Sequence, residues 1–408
     1  MLYRKMEKTG DELSILGFGC MRLPQKKRKI DEERATEQVR HAIDNGVNYL
    51  DTAIPYHLGG SETFLGRALT DGYREKVKLA TKLTSLYVKS RDDMDKVINV
   101  QLNNLNTKQI DYYLCHGLSG NLWKQLKEMD VCDFLDKAKA DGRISHTGFS
   151  FHGDKEAFKE IVDDYDWDMC QIQYNYLDEN IQAGTEGLEY AAAKGLGVVI
   201  MEPLRGGNIA GRVPPSVQAI WDEAEVKRSP AEWALRWVWD HPEVTVVLSG
   251  MNVEEHIEEN IRIADEATPE SLTDKELKIV ERVADKYMEL TKVGCTGCRY
   301  CMPCPAGVDI PSCFEFYNNK YLFNDNSSKI FYLSRLGDSS GSGNTGFASQ
   351  CENCGQCEDA CPQQLPVQEL LEDVVKEFEG RAMKIIGWII MKVLGFQRRS
   401  ILRKSKKV

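Results

Sequence analysis

The chain of 408 residues contains no run of the 18 or so uninterrupted apolar residues that a membrane-spanning helix needs. No signal peptide opens it either. The two absences lead us to expect a cytoplasmic protein that is not integral to a membrane. A surplus of positive charge is also lacking, since 52 Lys and Arg stand against 63 Asp and Glu for a formal net charge of −11. Most of the chain is more acidic still, because residues 380–408 hold nine Lys or Arg and no acid. Such a body does not suit nucleic acid, whose recognition starts from a basic face. The dinucleotide fingerprint G-x-G-x-x-G is missing too. GFGCMR and GLGVVI both begin G-x-G, but Arg22 and Ile200 stand where the third glycine belongs. A Rossmann reading therefore fails, and no flavin motif is present.

What is there is a regular alternation of apolar strands with helical segments. Leu2 to Gly19 reads as a hairpin turned at Thr9-Gly10-Asp11, closing a barrel floor and leading into a strand at Leu16 to Gly19. Further strands end at Asp51, Lys82, His116, Ser150, Asn175, Glu202 and Gly250. Helices are expected near residues 31–45, 61–69, 91–105, 155–164, 185–194, 229–239 and 253–264. Eight strands with intervening helices predict an α/β protein, a (β/α)8 TIM barrel with an N-terminal hairpin, over residues 1–290. An amphipathic helix at residues 274–290 would end it.

The chemistry gathers at the strand ends. LDTAIPYHLGGSE, residues 50–62, places a carboxylate, a phenol and a glycine-rich turn just past a short apolar run. With VKLATK ending at Lys82 and IDYYLCH at His116, a parallel barrel would bring Asp51, Tyr56, Lys82 and His116 to one rim. A phenol is a poor proton donor at its ordinary pKa of about 10, and an adjacent ammonium favours the phenolate and lowers it. Asp51 would partner Lys82.

The pattern D-T-A-x-x-Y-x-x-G-x-S-E, then T-K, then L-x-H resembles the aldo/keto reductase superfamily. The resemblance covers roughly the first 290 residues and implies that Asp51, Tyr56, Lys82 and His116 form a catalytic tetrad. It also implies a nicotinamide cofactor, NAD(P)H, held by barrel loops. Its contacts would be Met21 and Arg22 after the first strand, Ser150, Gln171, Met201, Pro203 and Leu204 in the MEPLRGG turn, and Ser249, Gly250, Asn252, Glu259 and Asn260. Three positions depart from the family: Phe151 replaces an asparagine, Met201 an aromatic, and Asn252 an arginine that many relatives carry. The last removes a charge for a 2'-phosphate and leaves NADH and NADPH both open.

Thirteen cysteines remain to be placed, eight of them in two strings. CENCGQCEDACP, from Cys351, is C-x2-C-x2-C-x3-C-P, the spacing of bacterial [4Fe-4S] runs in which the fourth cysteine serves the other cluster. CTGCRYCMPCP, from Cys295, is shorter by one residue. By that cross-over, Cys295, Cys298 and Cys301 group with Cys361, and Cys351, Cys354 and Cys357 with Cys304, for two [4Fe-4S] clusters. Two structural zinc sites are the alternative, since four thiolates also suit zinc. Cys20, Cys115, Cys132, Cys170 and Cys313 read as ordinary buried thiols. Between the strings, residues 312–336 look like two helices and GDSSGSGNTG like a loop. Residues 291–379 resemble the all-helical type of two-cluster ferredoxin, and the two parts together resemble the aldo/keto reductase subgroup with an iron–sulfur appendage.

Residues 380–408 form a basic amphipathic tail. Ile386, Ile389, Ile390, Val393, Leu394 and Ile401 share one helical side, with Arg381, Lys392, Arg399, Arg403 and Lys406 opposite. Peripheral contact with an anionic membrane and docking within the protein are the two readings. Two readings of function also follow. One is an NAD(P)H-dependent oxidoreductase acting on a small carbonyl substrate. The other is an electron-transfer subunit whose barrel binds nucleotide and whose clusters serve a redox partner protein.

Overall fold

The structure, a computed structural model, describes residues 1–337, 345–380 and 397–403. The chain divides into two compact units, one from Met1–Gly211, Glu223–Val280 and residues 401–403, the other from Arg212–Asp222 and the described part of Glu281–Ser400.

The first unit opens with an antiparallel hairpin, β1 (Tyr3–Lys5) and β2 (Glu12–Ser14), with Tyr3 opposite Ser14. β3 (Leu16–Gly19) follows, then a short hairpin of β4 (Gln25–Lys26) and β5 (Lys29–Ile30). The remaining strands are β6 (Tyr49–Asp51), β7 (Lys78–Leu83), β8 (Ile110–Leu118), β9 (Ile144–Phe151), β10 (Met169–Gln173), β11 (Gly197–Met201) and β12 (Val244–Ser249). β3 and β6 to β12 pair in parallel and close, β12 returning to β3 through Val247 opposite Leu16. This is the (β/α)8 barrel that the alternation predicts. β6, β10 and β12 are buried along their whole length, as parallel strands are when helices cover them on the outside.

Caps fix where several helices begin. Ser90, Ser119, Asp154 and Ser229 each accept a hydrogen bond from a backbone N–H of the first turn that follows them, satisfying a donor that the helix leaves unpaired. The barrel floor is closed from the hairpin. Met6 and Leu13 pack with Tyr49, Ala80, Tyr112, Leu114, Met169, Val199, Val246 and Leu248 in one core. A Cβ on Gly197 would lie 2.5 Å from the Met6 methyl, so a larger residue there would push the Met6 side chain aside. The opposite end, where the strands finish, is left to the loops.

Several elements escape the sequence pattern. The helices Gly120–Glu128 and Val131–Ala140 both lie between β8 and β9. The first buries only Trp123 and Leu126, too few positions to show a period, and the second starts at once from a left-handed Asp130 with no side-chain cap. The β4/β5 hairpin and the short helices Asn208–Gly211 and Pro215–Trp221 are likewise too brief to carry a pattern.

In the second unit the two expected helices are Ile310–Leu322 and Ser328–Leu336, joined later by Val367–Phe378. Their core includes Phe314, Phe316, Tyr332, Leu371 and Phe378, with Tyr332 stacked on Phe378 at 4.8 Å. Asn318 ties in the entering chain, donating to the Val293 carbonyl at 2.7 Å and accepting from its N–H at 2.9 Å. Most of GDSSGSGNTG and most of the basic tail lie outside the described residues. Among the described residues no helix is long and apolar enough to cross a membrane.

Candidate active site

Asp51 is the last residue of β6, and Lys82 stands one residue before the end of β7. Tyr56 opens the turn Tyr56–Gly59 just beyond Asp51, and His116 lies in β8. The structure brings all four together. The Lys82 ammonium, 1% exposed, donates to both Asp51 oxygens at 2.6 and 2.7 Å and to the Thr52 carbonyl at 2.8 Å. It also lies 3.4 Å from the Tyr56 hydroxyl. The Tyr56 and His116 rings meet edge-on with centroids 6.2 Å apart.

Burial and charge act against each other here. Burial pulls the Lys82 ammonium down, but Asp51 and Tyr56 together hold it above the usual lysine value. Burial raises the Tyr56 phenol, and the Lys82 charge offsets this only in part. The sequence argument, which considered the ammonium alone, gives the opposite direction, because desolvation cannot be read from a motif. His116 is pushed down to about 3, by burial first and then by Lys82 and His152, so its imidazole is neutral. Thr84 Oγ1 holds its Nδ1 at 2.9 Å.

Behind this group lies a layer that the sequence reading omits. The buried Glu62 carboxylate accepts from Thr81 Oγ1 at 2.7 Å, Gln101 Nε2 at 2.8 Å and Asn104 Nδ2 at 3.1 Å. Gln101 Nε2 also reaches the Lys82 carbonyl at 3.0 Å, and Tyr113 donates to Gln101 Oε1 at 2.7 Å. Lys82 is thus fixed through its backbone as well as its side chain. The S-E at the end of LDTAIPYHLGGSE was the available signal, a carboxylate in the first turn of a helix that faces the barrel.

The residues proposed for a cofactor fall along the same rim. Register sets Gln171 of β10 beside Ser150 of β9. Ser150 Oγ accepts from the Gly117 N–H at 2.7 Å and keeps its own proton to donate. Gln171 Oε1 is buried without a hydrogen-bond partner. A carboxamide fits this pair, its N–H going to Gln171 and its oxygen to Ser150. Phe151 packs instead on Phe158, with centroids 5.1 Å apart, and so takes no part. Arg22 lies 3.8 Å from Glu202, next to Met201, and a Cβ on Gly250 would stand 3.2 Å from Arg22 Cδ. Arg22 therefore lies between the turn of Met201, Pro203 and Leu204 and the loop that starts at Ser249. Met21 is exposed. Asn260 donates to Ser249 at 3.0 Å, whereas Glu259 is engaged at 2.6 Å by Ser229, the cap of another helix. Asn252 lies in the loop before the helix Glu254–Ala264. Arg205 is taken up by the buried Asp178, at 2.8 and 3.2 Å.

In the second unit Cys304, Cys351, Cys354 and Cys357 line one cavity of about 160 Å³, with Cys301 also on its wall. Cys295 interacts electrostatically with Cys298 and Cys361, and Cys301 with Cys295 and Cys298. Cys301 also interacts with Cys357 of the other run and lines the same cavity. Burial pushes Cys295 up to about 11 and Cys301 up to about 12, so binding iron would displace their protons. Among the described residues no three His, Cys, Asp or Glu stand close enough to share a single ion. Zinc requires such convergence, with every sulfur about 2.3 Å from one metal, whereas a four-iron cluster spreads its four cysteines over separate corners. The donors themselves, two runs of four cysteines each followed by a proline, are those of a pair of four-iron clusters. Of the remaining cysteines, Cys20, Cys115, Cys170 and Cys313 are buried and Cys132 only partly so.

A sequence model of the aldo/keto reductase family matches residues 15–285. The chain belongs to that family. A model described as a 4Fe-4S dicluster domain matches residues 294–365, so this aldo/keto reductase carries a C-terminal iron–sulfur domain. It is similar to L-galactose dehydrogenase of Arabidopsis thaliana, with 25% identity over 311 residues, 71% of this chain and 96% of that protein. It is also similar to the NADH-specific methylglyoxal reductase of Escherichia coli, with 23% identity over 303 residues, 62% of this chain and 90% of that one. Among solved structures, the holo form of an aldo-keto reductase from Bacillus halodurans superposes with a TM-score of 0.59 at 25% identity, covering 69% of this reductase and 96% of its own chain.

Proposed function

We propose that the barrel reduces a small carbonyl compound at the Asp51, Tyr56, Lys82 and His116 group, using a reduced nicotinamide dinucleotide. The observation that carries this reading is the buried Lys82 ammonium, bonded to Asp51 and 3.4 Å from the Tyr56 hydroxyl. When bound, the dinucleotide supplies a hydride to the carbonyl carbon. Tyr56 gives the proton that the oxygen needs, completing a two-electron reduction to the alcohol. Burial keeps the phenol protonated and so loaded as an acid. Lys82 stabilises the tyrosinate left behind, and Asp51 keeps Lys82 charged and in place. The neutral His116 hydrogen-bonds the carbonyl oxygen through Nε2 while Thr84 holds Nδ1. Ser150 and Gln171 hold the nicotinamide carboxamide.

The charges favour NADH. Ser249 to Asn260 contains no Lys or Arg, and its helix opens with Glu254 and Glu255. Arg205 is committed to Asp178, and Arg22 faces Glu202. Among the described residues a 2'-phosphate would find no spare cation there, and a charge-assisted bond of that kind is worth ~1.5–3 kcal/mol. The likeness to an NADH-specific reductase points the same way. An anaerobic screen of aldehydes and ketones with each dinucleotide tests both parts. Oxidation of the dinucleotide should be matched by alcohol formation, with kcat/KM at least as high for NADH as for NADPH. A preference for NADPH of about 100-fold, the worth of a phosphate contact at the upper end of that range, would refute the charge argument. No turnover with any carbonyl would refute the reaction.

A role for the clusters in passing single electrons to a partner protein is the second reading. It is favoured by Cys298 and Cys354, each exposed, which bring both cysteine runs to the surface.

A further inference from the structure

Directly after Tyr56 the backbone enters an unfavourable region. His57 and Leu58 have φ of 51° and 56°, two successive non-glycine residues in the left-handed conformation, before Gly59 at 93°. Such a turn persists only where its surroundings over-determine it. The His57 ring is the cross-tie. Its Nε2 accepts the backbone N–H of Leu23 at 3.1 Å, and the Gln25 side-chain amide lies 3.0 Å from its Nδ1. Leu23 is 2% exposed, so its N–H, shielded from water, needs this acceptor. With Nε2 accepting, the neutral ring carries its proton on Nδ1, and the Gln25 amide, whose nitrogen is the atom placed beside Nδ1, must turn over to accept it through its oxygen.

The two segments so joined are the ones that matter for chemistry. His57 follows Tyr56 immediately, and Leu23 follows Met21 and Arg22. The tie therefore spans from the turn that carries the proton donor to the loop proposed to hold the cofactor.

We propose that His57 is a positioning residue, its imidazole clamping the Tyr56 turn to the Met21–Gln25 loop so that the phenol stays in reach of Lys82 and of the bound carbonyl. The proposal rests on the role given to Tyr56 above. It adds a specific requirement, a hydrogen-bond acceptor at residue 57 in register with one backbone amide.

The test uses the full-length protein with its clusters, prepared anaerobically, as wild type, His57→Leu, His57→Gln and Gln25→Leu. Amide hydrogen exchange by mass spectrometry over residues 20–26 and 55–61 reads the clamp without reference to activity. His57→Leu should speed exchange in both segments and lower kcat by ~10- to 100-fold, the scale of a displacement of about 1 Å in a reacting group, with nucleotide Kd changed far less. His57→Gln keeps an acceptor and should restore kcat to within a few-fold of wild type. Gln25→Leu leaves the Leu23 tie and should fall between. If exchange is unchanged in His57→Leu, if it rises while kcat stays at the wild-type level, or if His57→Gln is as slow as His57→Leu, the proposal is wrong. Full activity in Tyr56→Phe, measured alongside, would mark failure of the underlying reading rather than of the clamp.

Discussion

Tyr56→Phe is expected to slow carbonyl reduction by ~100- to 10,000-fold, the range lost when a general acid is removed, with nucleotide affinity nearly unchanged. The variant deletes one hydroxyl and nothing else. That hydroxyl lies 3.4 Å from Lys82, whose other bonds, to Asp51 and the Thr52 carbonyl, remain. Lys82→Ala would be a poorer test. Removing one partner of a buried ion pair costs roughly 3–5 kcal/mol, so lost stability would be confused with lost chemistry. Steady-state rates with NADH, together with nucleotide binding followed by fluorescence, decide the matter. Activity within a few-fold of wild type would remove Tyr56 from the mechanism.

Cys351→Ala should cost the protein one of two metal centres. Two [4Fe-4S] clusters hold about eight irons, and roughly half should vanish when one wall of the cavity formed by Cys304, Cys351, Cys354 and Cys357 loses its thiol. The group of Cys295, Cys298, Cys301 and Cys361 should keep its centre. Iron and sulfide analysis with electron paramagnetic resonance of the reduced protein reads both. Zinc in place of iron would defeat the assignment, and an unchanged iron content in the variant would defeat the grouping.

The sequence announces this barrel because parallel strands covered on both faces appear as short apolar runs; β6 ends on Asp51, while β7 and β8 run one and two residues past Lys82 and His116. Leu16–Gly19 and Lys155–Asp164 stand where that pattern puts them. Contacts made across the fold are a different matter. His57 meets Leu23 from 34 residues away, and Thr84 meets His116 from 32. Nothing local marks such pairs. The raised pKa of Tyr56 belongs to the same class, since burial is a property of the packed barrel. Arg205 is paired with Asp178 because the turn after β11 meets the loop after β10. The helices of residues 120–140 carry weaker signals, the first burying only Trp123 and Leu126 and the second starting without a side-chain cap.

The barrel is either a carbonyl reductase in its own right or a nucleotide-binding input for single-electron transfer, and the path of one hydrogen separates the two. With NADH carrying deuterium at the transferring position of the ring, a carbonyl substrate and the intact protein under anaerobic conditions, the product is examined by mass spectrometry. Our account predicts one deuterium on the carbinol carbon for each NADH consumed, in an amount that falls with kcat in Tyr56→Phe. Consumption of NADH with no deuterium in any product, accompanied by bleaching of the iron–sulfur absorbance, would contradict it.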